Sequence, residues 1–131
     1  MALTPLNPNI THGRPIRTQG QIWAGGPVVL ADTGTASGTA GAATLSKQAG
    51  TITSAALTTA AAGRYTLTLT NTLVKAASVV VASVATGTNT TAGLVLETVT
   101  PAAGSVVIVV KNDHASSALD GTIKVSFAVL N

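Results

Sequence analysis

Three apolar runs follow one another in the last third of the chain and constrain its fold more than any other feature. They read LVLETVT, SVVIVVKN and GTIKVSFAVL, and they lie within residues 94–130. Each run is rich in β-branched residues and has the length of a strand. The middle run is apolar on both faces, which is typical of a strand in the centre of a packed sheet. We therefore predict three consecutive strands joined by two tight connections.

Two further strands are predicted upstream. In RYTLTLTN, residues 64–71, Tyr65, Leu67 and Leu69 alternate with threonines. One face of this strand should be buried, and a row of threonines should face outward. The segment SVVVASVATG, residues 78–87, is largely apolar and predicts a more buried strand, which ends at the turn-forming sequence GTNTTAG.

The region before these strands gives weaker signals. Residues 21–32 predict a first strand whose interruption by Gly-Gly-Pro is typical of an edge strand or a bulge. Residues 33–43 are small and predict a flexible loop. Residues 43–47 and 50–54 predict a short hairpin. Residues 54–63 fit a helical turn, because alanine is the best helix former, and they fit a β connection equally well.

These assignments give about eight strands and no convincing long helix. Strands at this spacing predict an all-β fold, an antiparallel β-sandwich that is jelly-roll-like, with an immunoglobulin-like sandwich as the alternative. A chain of 131 residues has the length of one domain. We therefore divide it into an extended N-terminal arm, residues 1–20, and a β-sandwich domain, residues 21–131.

The arm carries three of the five prolines of the chain and has neither helical nor strand periodicity. It is either a disordered tail or a segment that orders against a neighbouring molecule. The second interpretation rests on short apolar anchors between the prolines and on the absence of acidic residues before Asp32. The only tryptophan, Trp23, either covers the core or anchors an interface. The residues expected to contact a partner are Leu6, Ile10, Arg14, Arg17 and Trp23.

The composition bears on the kind of protein. Aromatic residues make up 2% of the chain and charged residues 8%, with a net charge of +3 and no cysteine. A core with so few aromatic side chains is lean, and so sparsely charged a surface is easier to explain if a partner covers it. We therefore expect a homo-oligomer. The basic residues are scattered singly and no apolar run reaches the ~20 residues of a membrane span, so we expect neither a nucleic-acid nor a membrane partner.

The segment KNDHASSALDG, residues 111–121, is the only polar cluster that suggests chemistry. Asp113 and His114, with the serines after them, are residue types of a hydrolase triad, but a triad brings distant segments together. The favoured interpretation is a turn in which Asn112 and Asp113 cap their own backbone. A calcium site formed by Asn112, Asp113 and Asp120 is the alternative.

The chain has only four carboxylates. Glu97 is expected on the polar face of its strand, near Lys111 or Lys124 of a neighbouring strand. Glycoside cleavage needs two carboxylates at a fixed separation in a cleft, and nothing in the sequence implies such a pair. We therefore expect a protein that is not an enzyme and has no cofactor and no metal site.

The segments GTITSAALTTAAAGRYTLTLTN and TPAAGSVVIVVKNDHASSALDGTIKVSFAVLN, with the proline-rich arm ahead of them, resemble small β-sandwich virion proteins of tailed bacteriophages. These are the capsid decoration or cement proteins and related fibre modules. The resemblance covers mainly residues 50–131. It implies an oligomer, often a trimer in that class, bound to the major capsid protein on the virion surface after synthesis in the host cytoplasm. Residues 1–20 would dock on the shell, and the sandwich would be an outward knob.

Two other functions remain as alternatives. A head or tail fibre module would bind host-surface glycans through exposed loops at residues 86–93 and 112–120, although sugar rings usually stack on aromatic side chains, which are scarce here. A bacterial adhesion subunit would also be threonine-rich and β, but it should carry an export signal, and the N-terminal sequence has no basic and apolar segments of that kind.

Overall fold

The fold consists of strands. A computed structural model describes residue 30 and residues 32–131 of the chain. These residues form eight strands and no helix, so the predicted all-β class is confirmed. In chain order the strands are β1 (Thr33–Ser37), β2 (Ala42–Thr44), β3 (Ala49–Thr53), β4 (Arg64–Thr70), β5 (Val79–Thr86), β6 (Leu94–Ala102), β7 (Ser105–Asn112) and β8 (Ile123–Leu130).

The strands form two four-stranded sheets that share one core. The first sheet has the order β1-β3-β8-β5, and the second has the order β2-β4-β7-β6. Buried side chains from both sheets belong to a single apolar cluster, in which Val125 and Phe127 of β8 join Ile108 and Val110 of β7. Two sheets that bury their inner faces together give a β-sandwich-like architecture, as expected from the sequence.

The two central strands supply most of this core. Strand β7 lies between β4 and β6, and β8 lies between β3 and β5. Along β7, Val106, Ile108 and Val110 are fully buried, while the alternate residues on the outer face are half-buried. The prediction that SVVIVVKN lies in the centre of a sheet is therefore confirmed.

Strand β4 matches its prediction, but β5 is less buried than its sequence indicates. In β4 the inward residues Tyr65, Leu67 and Leu69 are buried, and the threonines between them are exposed. In β5 the side chains of Val79 and Val81 are 60% and 57% exposed. The reason is the position of β5 at an edge of its sheet, where its outer face has a neighbour on one side only. The prediction of a more buried strand is wrong for this face.

The N-terminal part of the domain differs from its prediction. Residues 33–43, expected as a loop, contain β1 and most of β2. Strand β1 runs parallel to β3, and β2 runs parallel to β4, so the predicted antiparallel pairing is wrong for these two pairs. The other four strand pairs are antiparallel. Small residues form strands here because existing strands supply the hydrogen-bonding edge. The hairpin predicted for residues 43–47 and 50–54 is wrong, because β2 and β3 belong to different sheets. Residues 54–63 form a connection without a helix.

A tight corner at residues 38–41 moves the chain from the first sheet to the second. Gly41 has a φ of +79°, and a Cβ at this position would lie 2.7 Å from the carbonyl oxygen of Thr66. The same close approach allows the N–H of Thr68 to donate to the carbonyl of Gly41 over 2.7 Å. Glycine is required because both the backbone conformation and the space exclude a side chain.

The two connections in the last third of the chain differ. Strands β6 and β7 are joined by a tight turn at Gly104, whereas residues 113–122 cross from β7 to β8 in the other sheet. The second of the predicted tight connections is therefore wrong. The register pairs Val79 with Leu130 at one end of the first sheet and Thr86 with Ile123 at the other. The boundary predicted between an arm and a domain at residue 20 lies outside the described residues.

Two buried hydroxyl groups differ in their hydrogen bonding. The N–H of Ser54 donates to the carbonyl of Ile123, and the hydroxyl of Ser54 accepts from the N–H of Ile123 over 2.9 Å, so the side chain extends the β3–β8 ladder. The hydroxyl of Tyr65 is also buried, and it is the only buried side-chain polar atom of the described residues without a hydrogen-bond partner. Burial raises the pKa of this phenol.

The two hydroxyl groups should therefore have different effects on stability. We expect Ser54→Ala to lower the free energy of unfolding by about 1–3 kcal/mol, because it leaves a buried N–H without its acceptor. Tyr65→Phe should leave this free energy unchanged or raise it, because no bond is lost. Urea unfolding of both variants beside the wild type measures the difference. A loss of more than about 1 kcal/mol in Tyr65→Phe would contradict this account.

Candidate functional site

The outer face of the first sheet is apolar at one end and rich in hydroxyl groups toward the other. Val79 pairs with Leu130, and Val81 pairs with Ala128. Leu130 is 46% exposed, so it and the two valines form a contiguous exposed surface. Ala128 pairs in turn with Ala49 of β3. We define the apolar end as Ala49, Val79, Val81, Ala128 and Leu130.

A groove of about 290 Å³ lies on this face, and Leu30 forms part of its wall. The groove is also lined by Ala49, Val81, Ser83 and Ala128, which belong to three adjacent strands. Leu30 precedes β1 in sequence, and it borders the same groove as residues of β3, β8 and β5. Sequence analysis missed this site, because the apolar residues on both faces of β5 give the same pattern as a buried strand.

Charged residues of the domain largely neutralise one another. Three ion pairs occur among the described residues: Lys47 Nζ to Asp32 Oδ1 at 2.7 Å, Arg64 Nε to Glu97 Oε2 at 2.5 Å, and Lys111 Nζ to Asp113 Oδ1 at 2.6 Å. Each pair is partly exposed, so it contributes little to stability. The consequence is electrostatic: the pairs leave few uncompensated charges on the surface of the two sheets.

Glu97 lies at a bulge in β6, and its main partner differs from the two that were expected. Its carboxylate accepts two hydrogen bonds from the guanidinium of Arg64: Nε donates to Oε2 at 2.5 Å, and Nη2 donates to Oε1 at 2.6 Å. These bonds hold the pKa of Glu97 below its usual value, and the charge of Lys111 acts in the same direction. Lys124 lies in the first sheet, away from this pair. The expectation is therefore correct for the neighbourhood of Lys111 and wrong for Lys124.

Two loops pack together at the end of the molecule opposite the apolar end. We call them the end loops, residues 87–93 and 113–122. The carboxylate of Asp120 accepts from the N–H of Thr90 over 2.7 Å and from the Thr90 hydroxyl. Asn89 is buried; its amide donates to the carbonyl of Thr91 and accepts from the N–H of Asp120. The end loops therefore have a fixed arrangement of polar groups.

Asn112 organises the loop that was predicted as a turn. It is fully buried, and its Nδ2 lies 2.9–3.1 Å from the carbonyl oxygens of Thr59, Ala60 and Ser117. Its Oδ1 accepts from the N–H of His114 over 3.1 Å. This last bond is the backbone cap predicted for Asn112. The side chain thus fixes the β7–β8 connection against the β3–β4 connection.

The remaining contacts of this loop agree with a turn. Nδ1 of His114 accepts from the backbone N–H groups of Ser116 and Ser117. The carboxylate of Asp113 accepts from Lys111 Nζ and from no backbone N–H of the described residues, so the cap predicted for Asp113 is wrong. Asp120 binds the other end loop, and the three proposed calcium ligands therefore each have protein partners. Within residues 32–131, no three His, Cys, Asp or Glu side chains come close enough to hold a metal ion together.

The residues predicted from the sequence to contact a partner lie outside the described residues. They are Leu6, Ile10, Arg14, Arg17 and Trp23. The described surface that adjoins them in sequence is the groove at Leu30. The candidate site therefore consists of a different set of residues, on β3, β5 and β8, which line the groove with Leu30.

Comparison of the chain with models of protein families, with curated protein sequences and with solved structures found no match. Among the described residues there is also no helix with the length and hydrophobicity of a membrane span.

The bonds to Asp120 predict a pH dependence of stability. Hydrogen bonds from the side chain and backbone of Thr90 hold the pKa of Asp120 below its ordinary value of 3.8. A carboxylate with a lowered pKa stabilises the fold above its unfolded pKa, and this contribution is lost as the pH falls through the folded value. Asp120→Asn should therefore be less stable than the wild type at neutral pH, and the difference should shrink below pH 3.8.

Urea unfolding at neutral and acidic pH measures how far the difference in stability between Asp120→Asn and the wild type shrinks. Thr90→Val serves as a second variant, because it removes the hydroxyl donor and leaves the carboxylate in place. It should also reduce the difference between neutral and acidic stability. A gap between Asp120→Asn and the wild type that stays constant with pH would contradict the assigned role of Asp120.

Proposed function

We propose that this chain is a non-enzymatic structural protein of a phage virion that binds the outer surface of the capsid and stabilises the shell. Its partner in this proposal is the major capsid protein, and the working form is a homo-oligomer, a trimer by resemblance. Residues 1–20 dock on the shell, and the sandwich faces outward as a knob.

The distribution of charge is the observation that carries the proposal. The chain has seven basic and four acidic residues, a net charge of +3. Residues 32–131 hold five of the basic and all four acidic residues, a net charge of +1. Most of these charges are used in ion pairs within the domain. The remaining +2 comes from Arg14 and Arg17, so most of the net positive charge of the chain lies in residues 1–20.

This distribution of charge suits an arm that binds the capsid and a domain that contributes little to binding. Guanidinium groups bind carboxylates with paired hydrogen bonds, and they gain most where the contact excludes water. Arg14 and Arg17 would therefore bind acidic groups on the shell. Leu6 and Ile10 would supply the apolar anchors beside them. The domain, with its own charges neutralised, would add little attraction or repulsion.

The type of sandwich is also part of this proposal. We describe the sandwich as jelly-roll-like, because successive strands alternate between the sheets at every connection except the β6–β7 turn. Such alternation is typical of wound double-sheet folds. The parallel pairing of β1 with β3 and of β2 with β4 would be a variation on that arrangement.

A fibre module that binds host-surface glycans is the second candidate. The end loops favour it, because they present hydroxyl groups of Thr90 and Thr91 and the carboxylate of Asp120 in a fixed arrangement. Carboxylate and hydroxyl groups can bind sugar hydroxyls. Binding of the purified protein to a glycan array, lost in Asp120→Asn, would favour this function over capsid decoration.

Co-sedimentation with capsids of the encoding phage, freed of accessory proteins, tests the main proposal. The double variant Arg14→Ala/Arg17→Ala should bind several times more weakly than the wild type, and binding of the wild type should weaken as salt is raised. Deletion of residues 1–20 should abolish binding and leave the circular dichroism spectrum of the domain unchanged.

The matched control is Lys75→Ala/Lys124→Ala, which removes the same charge from lysines that form none of the three ion pairs described. It should bind capsids as the wild type does. Full occupancy of capsids by the protein lacking residues 1–20 would refute the docking role of the arm. Light scattering of the free protein tests the oligomer. A monomeric mass in solution, together with binding to capsids as single copies, would refute the trimer.

A further inference from the structure

We propose that residues 21–29 of the same chain cover the apolar end of the first sheet, with the indole of Trp23 packed beside Val81. This is an intramolecular docking site, and it does not depend on the proposed function. It chooses between the two roles that the sequence leaves open for Trp23, covering apolar surface of its own domain or anchoring an interface.

Apolar side chains are exposed together at the apolar end of the first sheet. Only five large apolar side chains of the described residues are substantially exposed, and three of them, Val79, Val81 and Leu130, lie together at the apolar end. Leaving a contiguous patch of this kind in water is unfavourable, because the removal of apolar surface from water is favourable. A surface of this kind indicates a binding partner.

Leu30 and Asp32 both lie beside this surface. Asp32, just before β1, accepts a hydrogen bond from the N–H of Ala49 on β3. Two residues earlier, Leu30 lines the groove with Val81 and Ala128 of β5 and β8. Asp32 is thus bonded to β3, and Leu30 borders a groove that extends from β3 over β8 to β5, the strand with the most exposed valines. The segment before Leu30 therefore begins beside this groove.

Residues 21–29 have the length and the composition to cover this surface. Neighbouring strands are about 4.8 Å apart, and an extended chain advances about 3.3 Å per residue, so a few residues before Leu30 suffice to cross β5. Residues 21–29 read QIWAGGPVV and carry no charge. They offer Trp23, Ile22 and two valines to an apolar surface. Because Leu30 of this chain already lines the groove, we commit to the chain's own segment as the occupant.

Fluorescence of the full-length protein tests the proposal, because Trp23 is the only tryptophan. In the wild type we expect blue-shifted emission and weak quenching by acrylamide. Val81→Glu should shift the emission to the red and raise the quenching constant severalfold, because a carboxylate in the groove opposes apolar docking. The control is Val95→Glu, the same change at a valine that is 44% exposed on the other sheet, and it should behave as the wild type.

A proximity measurement keeps the test independent of that substitution. The chain has no cysteine, so Ser83→Cys carries a single nitroxide label beside the groove, and Thr66→Cys carries one on the other sheet. A nitroxide quenches tryptophan emission only at short range. We expect strong quenching of Trp23 by the label at residue 83 and none by the label at residue 66.

Three results would overturn the proposal. Solvent-exposed emission in the wild type would show that Trp23 covers nothing. Equal emission in Val81→Glu and wild type, with weak quenching from residue 83, would place Trp23 elsewhere. Quenching from residue 83 that disappears when labelled protein is mixed with excess unlabelled Trp23→Phe protein, which adds no tryptophan emission, would show that the segment docks on a second copy.

Discussion

The burial of two central strands without aromatic bulk is the constraint on which the rest of the structure depends. Strands β7 and β8 face each other across the core with valine and isoleucine side chains, and Phe127 and Tyr65 are the only aromatic residues in the cluster. A buried aliphatic side chain of this size contributes about 1.5–3 kcal/mol. Many such contacts must therefore add up, which requires long central strands with a neighbour on each edge.

A lean core also explains the importance of buried amides outside it. Most connections of this fold cross from one sheet to the other, and their backbone groups need hydrogen-bond partners away from the ladders. Asn71 binds the carbonyl of Lys47, and Asn112 binds carbonyls of both the β3–β4 and the β7–β8 connections. Each asparagine replaces, with directed bonds, the packing that large side chains would otherwise provide between loops.

The sequence predicts those elements whose signal is local. Strand β4 is correctly predicted because its burial alternates residue by residue, and β7 because every residue from Val106 to Val110 is apolar. Strands β1 and β2 are missed because their small residues have no strand pattern of their own. They depend on the edges that β3 and β4 offer, and an edge is a property of the folded sheet.

The candidate site could not be predicted for the same reason. A valine-rich strand reads alike whether its outer face is covered or open, and only the order of strands puts β5 at an edge. The groove requires Leu30 to lie beside Val81, which is distant in sequence. Local chemistry was more predictable: the Asn112 cap follows from a short side chain at the start of a turn.

The parallel pairing of β1 with β3 has a mechanical consequence. A pull on the N-terminal chain along the strand axis would load the five register pairs from Thr33–Ala49 to Ser37–Thr53 at the same time, in shear. Beyond the corner at Gly41, β2 fastens the same stretch of chain to the second sheet. A pull on the N-terminal chain is thus resisted by both layers of the sandwich, first through the β1–β3 pairing and then through the β2–β4 pairing.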